Sequence, residues 1–438
     1  MRVIRDAALA DGRRVDVRLD GDRIDAVGDD LDGELLVDAD GNLLLPGMID
    51  VHVHFRQPGA SHKETWTTGS RSAAAGGVTT VVDQPNTNPP TVTGAAFDEK
   101  DELASASLVD YGINGGVTEN WDPDSLFGKP LFALGEVFLA DSTGNMGIDA
   151  ELFAAAVERA ADENVPVTVH AEDADLFDES VLPRNTGDAS ASEAGGGGRT
   201  GADAWSAYRT AEAEEAAVER AVEVADGSGA QVHIAHTSTP EGVDAARAGG
   251  ATCEVTPHHL FLSRDDLPDL GTFGRMNPPL RSEERRKAVF ERLREGAVDV
   301  VATDHAPHTR EEKDASIWDA PSGVPGVETA LPLLLQAASE GELSYGRVRD
   351  VTAANPAEIF DLPRKGRIEA GRDADLVLVD PENVREIRGD ELHSKCGWTP
   401  FEGFAGVFPE WTMVRGEFAY RDGEFGSARG ENVRRQTS

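Results

Sequence analysis

An α/β chain whose eight strands close into a barrel is what the sequence predicts, and three observations carry that prediction. Strand-like and helix-like stretches alternate through the middle of the chain, the pattern of parallel β/α units. The β-rich runs among them end near His54, Asn86, Val117, Glu136, His170, His236, Pro257 and Asp304, and eight such units suit a closed barrel of the TIM type. Four of the runs deliver a His or an Asp at their C-terminal ends, where barrels of this kind collect their chemistry.

Residues 1–46 come first and read as short alternating strands. Val15-Asp16-Val17-Arg18-Leu19 and Arg23-Ile24-Asp25-Ala26-Val27 are separated by Asp-Gly turns that suit β-hairpins. The barrel segment, 47–360, opens on Gly47-Met48-Ile49-Asp50-Val51-His52-Val53-His54, a buried strand that leads into a Pro58-Gly59 turn. His52 and His54 stand two apart and so point to one face. A rigid strand fixes two imidazoles at a set spacing, and zinc accepts neutral imidazole nitrogens readily. Val167-Thr168-Val169-His170, Val232-His233-Ile234-Ala235-His236 and Val298-Asp299-Val300-Val301-Ala302-Thr303-Asp304-His305 add further ligand types at strand ends. His233, three before His236, is expected to face away from the axis and to be structural. Between the strands, the alanine- and glutamate-rich run 211–218 is helical by propensity. Residues 186–203, with glycines at 195–198, read as a flexible loop, because no Lys-Ser/Thr follows them to cradle a phosphate. The last segment, 361–438, returns to strand patterns at 366–380 and 411–415.

Composition narrows the function. A net charge of −39 repels nucleic acid and anionic membranes alike, and no apolar run has membrane-spanning length. There are seven lysines among 41 basic residues, so the surface is rich in Asp and Glu and poor in Lys. That balance resembles proteins that work in concentrated salt, where screening relieves self-repulsion. Two cysteines, Cys253 and Cys396, are too few for a disulfide framework, and the start of the chain has no secretory pattern, so a cytoplasmic enzyme is expected.

The run HVHFRQPG at 52–59, HKE at 62–64, AAAGGVTTVVDQPNTNP at 73–89, RMNPPLR at 275–281 and TDHAPH at 303–308 resembles the dihydroorotase family of the cyclic amidohydrolase superfamily. The resemblance runs from about residue 40 to about residue 415. It implies that the two terminal segments join into one small β-sandwich beside the barrel, so that the termini are neighbours. It also implies a metal centre of His52, His54, His170, His236 and Asp304, with one or two ions per chain. Imidazoles and carboxylates suit zinc best. Many members bridge two ions with a carboxylated lysine on the fourth strand, but no lysine lies between 129 and 287 here. Glu136 falls at that place, with a side chain shorter by roughly 3 to 4 Å, and Asp141 just after the strand is its rival.

On the substrate side the resemblance assigns Arg56, Asn86, Asn277 and His308, a fork-shaped cation and hydrogen-bond donors suited to carboxylates. Gln84 stands where the family usually has Met. The activity implied is the reversible, metal-dependent cyclisation of N-carbamoyl-L-aspartate to L-dihydroorotate, with Asp304 as the proton shuttle. Rival readings are another cyclic amidase, such as an allantoinase or hydantoinase, and a non-catalytic partner subunit of the same fold. The resemblance further implies a homodimer, and the loop-like composition of residues 308–325 leads to the expectation of a lid there.

Overall fold

The computed structural model describes residues 1–140, 146–183 and 201–435. In chain order, β1 (Arg2–Leu9), β2 (Arg14–Asp20), β3 (Arg23–Gly28), β4 (Glu34–Asp38) and β5 (Leu43–Pro46) precede the barrel strands. These are β6 (Met48–Val53), β7 (Val78–Asp83), β8 (Asp110–Ile113), β9 (Leu134–Phe138), β10 (Val167–His170), β11 (Val232–Ile234), β12 (Thr252–Val255) and β13 (Val300–Val301). After them come β14 (Leu376–Glu386), β15 (Ala405–Val414), β16 (Glu417–Arg421) and β17 (Glu424–Phe425).

Strands β6, β7 and β8 pair in parallel as one arc, and β9 to β13 as a second. Single parallel bridges, Gly115 to Leu134 and Val53 to His305, join the arcs at both seams, so the eight strands form a ring in chain order. Every residue of β6 to β10 is buried, as expected of strands covered on both faces. At the β13–β6 seam the buried Asp50 accepts from Thr303 N (3.0 Å), Thr303 Oγ1 (2.6 Å) and His52 N (3.2 Å). One carboxylate thus sets His52 and the residue before Asp304 in register.

The helices outside the ring carry their start and stop signals in the sequence. Thr65 and Thr210 cap the helices Trp66–Ala75 and Ala211–Ser228, and Gly229, at φ +71°, ends the second. The helix expected at 211–218 therefore continues for ten further residues. The expected loop at 186–203 falls mostly outside the described residues, and the helix Asp203–Tyr208 follows it.

Strands from both ends of the chain form one nine-stranded sheet, ordered β17-β16-β15-β14-β5-β1-β2-β3 with β4 beside β1. The link between the ends is the β5–β14 pair, which sets Leu44 opposite Leu378. Ile4, Val17, Leu19, Leu44, Leu376, Leu378, Trp411 and Met413 fill one apolar core drawn from both wings, the sandwich expected of the termini. Beyond β17 the chain returns to the barrel, where Asn432 bridges Tyr111 on β8. Both cysteines are buried and unpaired. No helix among the described residues is long and apolar enough to cross a membrane.

Candidate functional site

Four imidazoles converge at the C-terminal mouth of the ring, three of them with one nitrogen committed to an acceptor behind it. His52 Nδ1 lies 2.6 Å from Glu254 Oε1 on β12, His54 Nδ1 lies 2.7 Å from Asn86 Oδ1, and His170 Nε2 lies 2.9 Å from Glu172 Oε2. The other nitrogen of His54 faces Asp304 Oδ1 and that of His170 faces Glu136 Oε1, both at 2.9 Å, so an ion bound among these groups would take the place of a hydrogen on the inward nitrogen. The partners are themselves held. Glu254 also meets His233 Nε2 at 3.2 Å, which gives the outward-facing His233 its structural role. Glu172 accepts two 3.0 Å bonds from Arg209 Nε. Burial pushes both acids toward the neutral form, but Arg209 and His170 around Glu172, and His52 and His233 around Glu254, hold each well below the usual carboxylate range.

Glu136 reaches the middle of this group. Its Oε1 lies 2.5 Å from His236 Nε2 and 2.9 Å from His170 Nδ1, and its Oε2 lies 3.4 Å from His52 Nε2. The shortfall of a glutamate against a carboxylated lysine is met by the backbone. Between Leu134 and Val137 strand β9 carries one residue more than its partner β10, a bulge that carries Glu136 inward. Gly135 permits it: its φ is +138°, and a Cβ there would collide with the Thr168 carbonyl oxygen. Gln84 holds the bulge in place. Its Oε1 accepts from Glu136 N (2.9 Å) and Asn114 Nδ2 (3.0 Å), and its Nε2 donates to Val51 O (3.1 Å). Gln84 thus supports the centre from behind. Asp141, the rival of Glu136, lies outside the described residues.

The donor set fits a divalent cation. His52, His54 and Glu136 form one group whose ligand atoms lie within 4.8 Å of one another, and Glu136, His170 and His236 form a second. Asp304 joins from the β13 side, its Oδ1 2.9 Å from His54 Nε2 and 3.6 Å from His52 Nε2. The 2.9 Å contact brings two ligand atoms together where a shared cation could take the place of the hydrogen between them. His52 Nε2, buried and aimed into the same space, has no hydrogen-bond partner among the described residues. His236 and Asp304 stand at φ +32° and +46°, and Arg56 at +64°. A left-handed backbone costs a non-glycine residue roughly 1–2 kcal/mol, and three such residues at one mouth mark a site where the fold imposes geometry.

Beside this cluster opens a narrow cleft. Arg56, Asn86, Asn277 and Asp304 line it together with His54 and Gly323. Arg56 is buried and donates from Nε to Pro307 O at 3.2 Å; burial lowers its pKa to about 10, which leaves it charged at neutral pH. His308 is brought against Arg56 but not to the cleft wall. Its Nδ1 lies 3.1 Å from Lys63 Nζ, and its Nε2 lies between Arg56 Nη2 at 3.2 Å and Ser322 O at 2.9 Å. Burial first, then Arg56, pushes the His308 pKa down to about 3 and keeps the ring neutral. Within the expected lid, Lys313 is fully buried and donates to the carbonyls of Arg275, Pro321 and Gly323 at 2.9–3.1 Å. Those bonds tie the Ser322–Gly323 wall of the cleft to the Asn277 loop.

Sequence reasoning missed Glu254, Glu172, Arg209, Asp50 and Lys313. In a chain with 80 acidic residues a single Glu carries no signal of its own. The one available hint was placement, since Glu254 lies within a β-rich run and Glu172 two residues after a strand-end His.

A ring of eight parallel strands with imidazoles and carboxylates gathered at its C-terminal mouth defines a metal-dependent hydrolase of the amidohydrolase class. The amidohydrolase family model matches residues 43–417. Over 437 residues the chain is 72% identical to the dihydroorotase of Halobacterium salinarum, covering 99% of this chain and all of that one. The dihydroorotase of Methanosarcina acetivorans is 44% identical over 94% of this chain and 89% of its own. Among solved structures, the L-hydantoinase (dihydropyrimidinase) of Arthrobacter aurescens superposes with a TM-score of 0.88 at 26% identity, covering 98% of both chains. The chain belongs to the amidohydrolase family and, within it, to the dihydroorotases.

Proposed function

We propose that the chain interconverts N-carbamoyl-L-aspartate and L-dihydroorotate plus water, the ring-closing step of pyrimidine synthesis. The observation that carries this reading is the cleft itself. Arg56 and two carboxamides, Asn86 and Asn277, share its wall with the imidazole and carboxylate cluster, so a carboxylate-bearing ring can be gripped beside a hydrolytic centre. In this reading His52, His54, His170, His236 and Asp304 would hold the metal, zinc by the character of the donors, with Glu136 as the candidate bridging ligand. A bound ion supplies Lewis-acid polarisation of the ring carbonyl and lowers the pKa of water toward neutrality. Asp304 takes the proton from the attacking water and delivers it to the leaving ring nitrogen; in the biosynthetic direction it returns that proton as water is expelled. Arg56 pairs with the substrate carboxylate, and the neutral His308 behind it fixes the Arg56 side of the cleft. These residues belong to the barrel segment, which we place at 47–360.

The second reading is a hydantoin-type cyclic amidase, favoured by the hydantoinase fold match. The test is metal stoichiometry on protein purified in high salt, alongside hydrolysis of L-dihydroorotate, dihydrouracil and hydantoin. Two ions per chain with turnover of L-dihydroorotate supports the reading and the bridging role of Glu136. One ion with the same turnover keeps the reading and removes the bridge. Turnover of hydantoin or dihydrouracil alone transfers the chain to the second reading, and neither metal nor turnover makes it a partner subunit.

A further inference from the structure

Behind Asn277 stands a tryptophan that the chemistry described so far does not use. Trp205, on the short helix Asp203–Tyr208, is 9% exposed, and its indole nitrogen lies 2.9 Å from Asn277 Oδ1 and 3.1 Å from Met276 O. An indole N–H only donates, so the carboxamide atom facing it must be the oxygen, whichever way an amide could otherwise be drawn. The ring is clamped in turn. The Arg275 guanidinium carbon sits 3.7 Å from its centroid, and Tyr208 and Trp318 pack at 5.7 and 5.9 Å. Arg275 is itself fixed, donating to Ile317 O at 2.6 Å and Ser322 Oγ at 3.2 Å. The direction of the indole N–H is therefore set by rigid neighbours.

We infer that Trp205 is a positioning residue that sets substrate specificity: by occupying the Asn277 oxygen it commits that carboxamide to the cleft as a hydrogen-bond donor. On the other side of the cleft the Asn86 oxygen faces His54 Nδ1, at 2.7 Å. With Arg56 as the cation, this portion of the wall offers donors and no carboxamide acceptor, complementary to a carboxylate or a ring carbonyl and hostile to a ligand N–H. Rotated by 180°, Asn277 would present its oxygen to the same ligand atom and repel it. The indole N–H prevents that rotation.

This inference rests on the proposed activity for its substrate, so the test separates the two. Trp205→Phe keeps the ring and the Arg275 stack and removes one N–H. Its KM for L-dihydroorotate is expected to rise about tenfold, with kcat within about twofold and the melting temperature unchanged. The preference for L-dihydroorotate over the uncharged dihydrouracil is expected to fall by a similar factor. Because Trp205 acts through Asn277, adding Trp205→Phe to Asn277→Ala should change KM no further. An unchanged KM, or losses in kcat and melting temperature that add to those of Asn277→Ala, overturns the positioning role and leaves the functional reading intact. If the wild type turns over only hydantoin or dihydrouracil, the functional reading falls, and the positioning role is judged on that substrate by the same rise in KM, since the ring carbonyls are acceptors too.

Discussion

At the scale of single residues, the centre is built by fixing which nitrogen of each imidazole faces inward. Glu254, Asn86 and Glu172 each hold one nitrogen of an imidazole and turn the other toward Glu136 or Asp304. Such partners are worth 10- to 100-fold in metal affinity in comparable sites, so Glu254→Ala should lower occupancy by about that factor in a chelator competition. Asp304 differs from the imidazoles in its task. Asp304→Ala should leave metal largely bound, because four imidazoles and Glu136 remain, while removing a proton shuttle worth roughly 10²–10⁴ in rate; turnover retained within about tenfold would refute the role. Gln84 gives a third case. Gln84→Met deletes the acceptor of the Glu136 and Asn114 N–H groups and the donor to Val51 O. If those bonds hold Glu136 in its bridging pose, the variant binds fewer ions per chain than the wild type at equal metal concentration. Equal stoichiometry would show the bulge to be self-supporting.

At the scale of elements, the strands were legible and their irregularities were not. Buried runs such as 48–53 and 167–170 announce themselves because both faces must be apolar, and their His and Asp ends stand out against that background. Nothing in Leu134-Gly135-Glu136-Val137 announces a bulge, since one extra residue leaves composition and alternation almost untouched. Its effect is to turn an acid that reads as one of many into the centre of the site. The helix Pro257–Phe261, which follows β12, hides a similar case. His258 is buried with Nε2 unpartnered among the described residues, and burial pushes its pKa down to about 4. As pH falls below about 6.5 the unfolded chain takes up a proton that the folded chain refuses until about pH 4. Stability contributed by this group is therefore complete above pH 6.5 and lost between 6.5 and 4, by up to about 3 kcal/mol. His258→Asn should flatten the fall of unfolding free energy between pH 6 and 4.5 by roughly one proton, about 1.4 kcal/mol per pH unit. Urea titrations at fixed salt read that slope directly, and parallel curves for variant and wild type would show that His258 titrates normally.

At the scale of the whole molecule, charge dominates. Against 80 acidic residues stand 41 Lys and Arg, so even complete pairing leaves 39 carboxylates without a cationic partner. Several of the basic groups are spent inside: Lys100 on Asp83, Lys365 on Asp110 and Asp375, Arg209 on Glu172, all buried. Each of these cations is matched by at least one buried carboxylate, so the outer surface still carries almost the whole of the negative net charge. Folding gathers those charges, and their mutual repulsion acts over a Debye length of about 10 Å at 0.1 M salt but only about 3 Å at 1 M. Surface carboxylates a few residues apart feel one another at the first concentration and hardly at the second. The melting temperature should then climb steeply from 0.1 to 1 M KCl and level off above it, as screening becomes complete. Sucrose at matched water activity supplies the control, because it favours compact states without screening charge. A rise in KCl that sucrose does not reproduce assigns the effect to charge; an equal rise in both assigns it to solvent exclusion, and a flat response in KCl would show that the fold carries its acidic surface without help from salt.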